Sequence, residues 1–197
     1  MNKHTIYCFV GASGSGKSSL VDLISQMSGM KVLRSYTTRP KRHEEDTDHE
    51  YISRTEYFQL ENKVATTHFN GEFYCSTVEQ IMDSDLYVID WDGIVKLFNN
   101  IHAGKLRNVK VKIIYLNTPV LVRIWRMFKR GDKISKIIER LITDHKTQLS
   151  CVNFGRSHAD IVLNDRDYKT LFSKSKDFLD IVKIDNPYLM FNTGKSA

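Results

Sequence analysis

Residues Gly11 to Ser18 read GASGSGKS and directly follow the apolar run IYCFV, Ile6 to Val10. Glycine loses more backbone freedom on ordering than any other residue and adds nothing to a core. Three glycines in so short a segment after a buried-looking strand therefore need a reason. The spacing G-x-x-x-x-G-K-S supplies one. It is the pattern of a loop whose backbone amides cradle nucleotide phosphates, with a lysine on the β and γ phosphates and a serine hydroxyl on Mg²⁺. The context that this loop needs is present. A strand precedes it, and Leu20, Val21, Ile24 and Met27 recur at helical spacing over Lys17 to Met27. A flexible turn is the plain alternative, and motif and context together outweigh it. Gly11, Ala12, Ser13, Gly14, Ser15, Gly16, Lys17, Ser18 and Ser19 are thus the candidate ATP-binding residues, with Lys17 catalytic and Ser18 a metal ligand.

The whole chain bounds what this loop can serve. At 197 residues it is long enough for one domain with a real core. Its 41% hydrophobic and 26% charged residues are those of an ordinary globular protein. No apolar run approaches membrane-spanning length, and the N-terminal run is too short for a signal peptide, so the expected location is the cytoplasm. Cys8, Cys75 and Cys151 are odd in number and lack metal-ligand spacing, which reads as reduced thiols. The seven histidines are scattered, none paired at zinc spacing beside cysteines. The net charge of +6 favours acidic partners, either nucleic acid or phosphorylated small molecules.

Strand-like and helix-like segments alternate along the chain. His4 to Val10 reads as a strand, and Lys31 to Arg34 as a second. Ser35 to Thr55 is polar and charge-rich with no helical period. Leu86 to Ile89 (LYVI) is a compact apolar run ending at Asp90, and Val109 to Leu116 is another strand. Val120 to Met127 and Ile134 to Ile142 read as helices separated by Gly131. Ile161 to Leu163 is a last strand, Tyr168 to Val182 a last helix, and the tail after Asp185 is expected to be loosely held. Such alternation predicts a parallel sheet covered on both faces, with ligands at the carboxyl ends of its strands. Asp90 stands at one of those ends. It is either a Walker B-type acid holding the metal or a loop-capping aspartate, and the phosphate loop favours the first.

The segment SYTTRPKRHEEDTDHEY, Ser35 to Tyr51, offers Arg39 and Arg42 flanking Pro40, two arginines able to grip one phosphate by forked hydrogen bonds, with Glu45 to hold one of them in place. A solvated charged loop is the plain reading of such a run. The pattern S-x-T-T-R-x-x-R-x-x-E followed by a tyrosine resembles the acceptor-binding motif of guanylate kinases. The resemblance continues, in family order, through FNGEFYCST (Phe69 to Thr77), IDWD (Ile89 to Asp92), RMFKRG (Arg126 to Gly131), ERL with Arg140, and IVLND (Ile161 to Asp165).

The resemblance implies an α/β P-loop NTPase three-layer fold with a parallel core sheet, an inserted acceptor-binding subdomain and a short helical lid. The domain would span 1–185, with core segments 1–30, 85–122 and 141–183, an insert at about 31–84, a lid at about 123–140 and a tail at 186–197. It implies that Ser35, Arg39, Arg42, Tyr51 and Tyr74 surround the acceptor monophosphate, with Glu45 in the same acceptor site holding an arginine, and that Ser76 and Asp92 face its base. Arg126, Arg130 and Arg140 would close over the triphosphate, Asn164 would lie near the adenine, and Ser18 and Asp90 would hold Mg²⁺. Arg126 and Arg130 are four residues apart and share a helix face, which suits a joint clamp. A basic solvent face including Arg123 and Lys129 is the plain alternative.

The implied reaction is γ-phosphoryl transfer from ATP to GMP or dGMP, in a monomer or a homodimer. A nucleoside monophosphate is already ionised near neutral pH, since its second pKa is about 6. Alignment and charge neutralisation then carry the chemistry, with no His or Cys nucleophile required. The sequence departs from the family where the base is read. The glutamate that accepts from guanine N1 and N2 falls at Ala65, with Glu61 and Glu72 the nearby acids, and Cys75 and Asp48 replace glycines. Three other readings are kept: a kinase of another phosphorylated acceptor such as ribose 1,5-bisphosphate, a non-catalytic module, and a nucleic-acid-binding P-loop protein. The intact Lys17 and Ser18 argue against the module. Nucleic acid is disfavoured because aromatic residues are not interleaved with a basic strip.

Overall fold

The computed structural model describes residues 3–69, 71–144, 159–164 and 171–185. In chain order the elements are β1 (His4–Gly11), α1 (Lys17–Ser28), β2 (Val32–Leu33), β3 (Tyr36–Thr37), β4 (Glu50–Tyr51), α2 (Arg54–Gln59), β5 (Lys63–Phe69), β6 (Glu72–Thr77) and α3 (Val78–Asp83). There follow β7 (Leu86–Val88), α4 (Trp91–His102), β8 (Val109–Asn117), α5 (Val120–Lys129), α6 (134–144), β9 (Ile161–Asn164) and α7 (Leu171–Asp185). A five-stranded sheet has the order β2-β7-β1-β8-β9 and a four-stranded sheet the order β4-β3-β6-β5. Among the described residues, no helix is long and apolar enough to cross a membrane.

The five-stranded sheet is the expected parallel core. β2 runs parallel to β7 through Val32↔Leu86 and Leu33↔Tyr87, and β8 runs parallel to β9 from Ile114↔Ile161 to Asn117↔Asn164. β1 is buried from Ile6 to Val10, and β8 from Ile113 to Leu116. Unbroken burial is what helices on both faces of a parallel sheet demand, and it explains why these strands read as apolar runs.

The chain divides into two compact units, Met1–Cys8 with Lys31–Lys112, and Phe9–Met30 with Ile113–Ala197. In the second unit, Leu20, Val21 and Ile24 of α1 are buried, as are Phe178, Leu179 and Val182 of α7. Phe178 meets Phe9 of β1 with ring centroids 5.2 Å apart. In the first unit the four-stranded sheet is antiparallel at β3–β6 and β5–β6 and parallel at β3–β4.

Residues 35–55, a polar and charge-rich stretch with no helical period, contain β3, β4 and the start of α2. The hairpin β5–β6 and helices α2, α3 and α4 also went unassigned in the sequence. The two strands hid because several of their buried positions are hydroxyl residues, Thr67, Ser76 and Thr77, so no apolar alternation shows. The two short helices did carry a signal, the capping boxes Ser53-x-x-Glu56 and Thr77-x-x-Gln80. The expected tail, Asp165, Cys151 and the start of the last helix at Tyr168 lie outside the described residues.

Phe178→Ala should lower the unfolding free energy by about 3–5 kcal/mol, because it leaves a cavity against Phe9 in a fully buried position. Denaturant titration followed by circular dichroism measures this, and a loss below about 1 kcal/mol would remove the pair from the core.

Candidate active site

In the second unit, β1 delivers the chain into the phosphate loop and α1 begins at Lys17, directly after Gly16. Gly16 caps the helix in the left-handed region, φ 91°. Gly14, φ +75°, has no room for a side chain. An ideal Cβ there would lie 2.8 Å from the Arg123 carbonyl oxygen and 3.1 Å from Met127 Cγ, so the loop rests directly on α5. Lys17 Nζ donates to the carbonyls of Gly11 (2.7 Å) and Ala12 (3.1 Å). Ser15 Oγ is buried without a hydrogen-bond partner among the described residues.

Arg126, Arg130 and Arg140, expected to form a lid, each have a protein partner. Arg126 Nη1 donates to the Ser15 carbonyl at 3.0 Å. Arg130 donates from Nε (3.0 Å) and Nη2 (2.5 Å) to Asp132, and Arg140 Nη1 donates to the same carboxylate at 2.5 Å. The sequence reading missed Asp132, whose only signal is its place between the two helices. It also allowed Arg123 a place on a solvent face, and the structure corrects this. The Arg123 side chain is 3% exposed and pairs with Asp144 at 2.8 Å, because α5 turns Arg123 and Arg126 towards the loop. Asn164, at the end of β9, accepts from Asn117 Nδ2 at 2.7 Å.

The residues expected to bind the acceptor belong to the first unit, and the pairing register explains the convergence of those on its strands. Residues directly opposite in register share a sheet face, as do residues two apart on one strand. Thr37 is opposite both Tyr51 and Tyr74, Thr67 is opposite Tyr74, and Ala65 is opposite Ser76. One face of the four-stranded sheet thus carries Tyr51, Tyr74 and Ser76 with Ala65 and Thr67. Ser76 Oγ is fully buried. It lies beside the Tyr87 hydroxyl but makes no hydrogen bond of good geometry.

Arg39 is held in place around its Nη2, which donates to the Tyr51 hydroxyl (2.9 Å) and to Asp46 Oδ2 (3.2 Å). Its Nη1 donates to the Pro40 carbonyl at 3.0 Å, while its Nε is buried with no partner among the described residues. Glu45 was expected to do the holding. It is exposed, and the next acid, Asp46, with a side chain 2% exposed, is the one that points inward. Burial pushes the Asp46 pKa up, but the Tyr51 hydroxyl, the backbone amides of Arg42 and Asp48 and the Arg39 guanidinium outweigh this and hold it well below the usual carboxylate range. Arg42 pairs with Asp48 at 3.5 Å. The two acids near Ala65 do not fill its role here. Glu61 is exposed, and Glu72 accepts from Thr38 Oγ1 at 2.6 Å.

His49 was not singled out in the sequence. Its Nδ1 shares a hydrogen bond with Ser35 Oγ at 2.9 Å, and its ring meets Tyr51 and Tyr74 edge-on at 6.3 and 5.5 Å. A lone histidine in a charged run carries no pattern, so only the fold reveals it.

Asp90 is the N-cap of α4, its Oδ1 accepting from the Gly93 amide at 2.7 Å, and Asp92 is exposed in the first turn of that helix. Among the described residues no cluster of three or more His, Cys, Asp or Glu forms a metal cage. A nucleotide-bound Mg²⁺ needs only one or two protein oxygens beside phosphate and water, and the Ser18 hydroxyl in the first turn of α1 fits that demand.

No protein-family model matches the chain. It is similar to the guanylate kinase of Aliivibrio fischeri, 26% identical over 94% of this chain and 90% of the relative. It is also similar to the guanylate kinase of Vibrio vulnificus, 27% identical over the same shares. The crystal structure of guanylate kinase from Anaplasma phagocytophilum shares the fold, with a TM-score of 0.56 and 17% identity over 98% of this chain and 89% of that one.

Burial, and then the positive charge of Arg39, lower the His49 pKa from 6.5 to about 4, with Arg42 acting in the same sense and Asp48 and Asp46 against it. Between those two pH values the unfolded chain binds more protons than the folded one, so stability is complete above pH 6.5 and is lost as the pH falls through 4. His49→Gln should flatten this part of the stability curve, read as urea midpoints across the same window. An unchanged slope would show that His49 is already solvated.

Proposed function

We propose that this chain, a member of the guanylate kinase family and a phosphotransferase acting on nucleoside monophosphates, takes ATP with Mg²⁺ as donor and GMP or dGMP as acceptor. The observation that carries the acceptor side is Arg39. A guanidinium anchored by Tyr51 and Asp46 with its Nε buried and unpartnered is prepared for an anion, and a phosphate monoester dianion is the anion that satisfies it. On the donor side, the phosphate loop presents backbone amides and the N-terminus of α1 to the triphosphate, and Lys17 leaves the carbonyls of Gly11 and Ala12 to meet it.

Mg²⁺, when bound, offsets charge on the β and γ phosphates, with Ser18 as its protein ligand. Arg126, Arg130 and Arg140 add positive charge where it develops on the transferring group. Asp90 serves as the acid of the metal site beside the Ser18 hydroxyl in this reading, and Asn164 meets the adenine. The acceptor phosphate is its own nucleophile, so no general base is needed. The residues act as one domain whose segment at about 31–84 handles the acceptor and whose segment at about 123–140 is the lid. The reaction belongs in the cytoplasm, where ATP is supplied.

The test is ADP release with ATP and a panel of GMP, dGMP, AMP, UMP, CMP, dTMP and ribose 1,5-bisphosphate. Turnover only with the last would favour the sugar-phosphate reading. Lys17→Ala should cut turnover about a hundredfold or more while leaving the melting temperature unchanged, since the lysine acts on charge that grows in the transition state. A variant with near wild-type turnover would end the catalytic reading of the loop.

Base selection should be loose. Ala65 offers a methyl group where a carboxylate would accept from guanine, and Ser76 opposite it offers a neutral hydroxyl. Ala65→Glu should raise selectivity for GMP or dGMP by about tenfold or more, the worth of one charge-assisted hydrogen bond. A fall in kcat/KM for GMP in this variant would sink the guanine reading and leave a kinase of another acceptor.

A further inference from the structure

Asp144 of α6 accepts from the Ser13 backbone amide at 3.0 Å and from Ser13 Oγ at 3.2 Å. The same carboxylate accepts from Arg123 Nη1 at 2.8 Å, and that nitrogen lies 3.4 Å from the Ser13 carbonyl oxygen. Three segments, the phosphate loop, α5 and α6, are thus tied at one point. The pair is nearly dry, with side-chain exposures of 3% for Arg123 and 16% for Asp144, and Arg123 Nε has no partner among the described residues. A buried ion pair of this kind is costly to desolvate and is a poor device for stability alone. Its position gives it another use. Arg123 stands one turn before Arg126, and Asp144 one turn after Arg140, so the knot fixes the register of both helices at the loop. Arg126 already reaches the Ser15 carbonyl, two residues beyond the tied Ser13.

We propose that Arg123 and Asp144 are positioning residues of the donor site, which lock α5 and α6 to Ser13 so that Arg126 and Arg140 meet the phosphoryl group in transfer. They touch no reacting atom themselves. This rests on the phosphotransfer reading above, and it adds two residues that neither the phosphate-loop motif nor the lid arginines include. With the knot cut, the arginines lose their register, so transfer slows and more of the ATP consumed goes to water instead of acceptor.

Two variants separate positioning from structural support. Asp144→Asn keeps the shape and removes the charge, leaving Arg123 buried and unpaired. Arg123→Met with Asp144→Leu replaces the pair by apolar side chains, an exchange that often leaves stability unchanged or improves it. Asp144→Asn should lower kcat about tenfold or more, raise ATP hydrolysis per acceptor phosphorylated several-fold, and leave the acceptor KM within about twofold. The double variant should recover the melting temperature of the wild type and none of the lost kcat. Recovery of kcat together with the melting temperature, or an unchanged kcat and coupling ratio in Asp144→Asn, would overturn the proposal. If the wild type phosphorylates no acceptor, the proposed function fails, and binding of a fluorescent ATP analogue then decides. An affinity lowered about tenfold in both variants would support loop positioning, and an unchanged affinity would overturn it.

Discussion

The approach of the phosphate loop to α5 constrains much of the second unit. With Gly14 against the Arg123 carbonyl and Met127, only glycine fits at this position, and the helix beside it turns polar groups as well as Met127 inward. α5 does so. Arg123 and Arg126 face the loop, while Leu121, Trp125 and Phe128 on the same helix are 80%, 59% and 64% exposed. An amphipathic helix ordinarily points the other way. Here the loop's oxygen-rich backbone is a better partner for guanidinium groups than a hydrocarbon core would be, and this local demand prevails over the usual burial of apolar surface.

Around Arg39 the same principle works through an acid. Two arginines, a histidine and two tyrosines close together would repel or stay unsatisfied without a counter-charge. Asp46 supplies it, accepting from Arg39, from backbone amides and from the Tyr51 hydroxyl at once. Its low pKa keeps it charged throughout the neutral range, and that fixed charge holds Nη2 of Arg39 while the buried Nε has no partner among the described residues. The neutral His49 then fits among cations that a charged imidazole would oppose.

Where a feature depends on local spacing, the sequence exposed it. The glycines of the loop, the apolar runs of β1, β7 and β8 and the helical period of α1 follow from covalent geometry and burial on both faces of a sheet. Ser35, Arg39, Tyr51, Tyr74 and Ser76 were found through a resemblance over the chain, and their convergence became visible only with the register of β3, β4, β5 and β6. What stayed hidden depends on partners far apart in the chain. Asp46 and Glu45 are adjacent acids with no local cue to tell them apart, and only the turn of the backbone sends one inward. Arg123 and Asp144 are separated by a full helix and look like two surface charges until α5 and α6 meet at Ser13.

The departure at Ala65 is also a statement about charge. A buried carboxylate needs a partner, and in an empty pocket it would have only the hydroxyls of neighbours such as Ser76 and Thr67 to satisfy it. An alanine at this position removes that need, and with it the penalty of leaving an acid unpaired before the acceptor arrives. The remaining hydroxyls can each donate or accept, so they fit bases of either pattern without rejecting one strongly. Firm selection against a wrong base requires a group left unsatisfied by it, and neutral rotating hydroxyls incur little of that cost. On the proposed function, a well-anchored guanidinium at Arg39 is paired with a base side that discriminates weakly, and acceptor affinity would rest on the phosphate more than on the base.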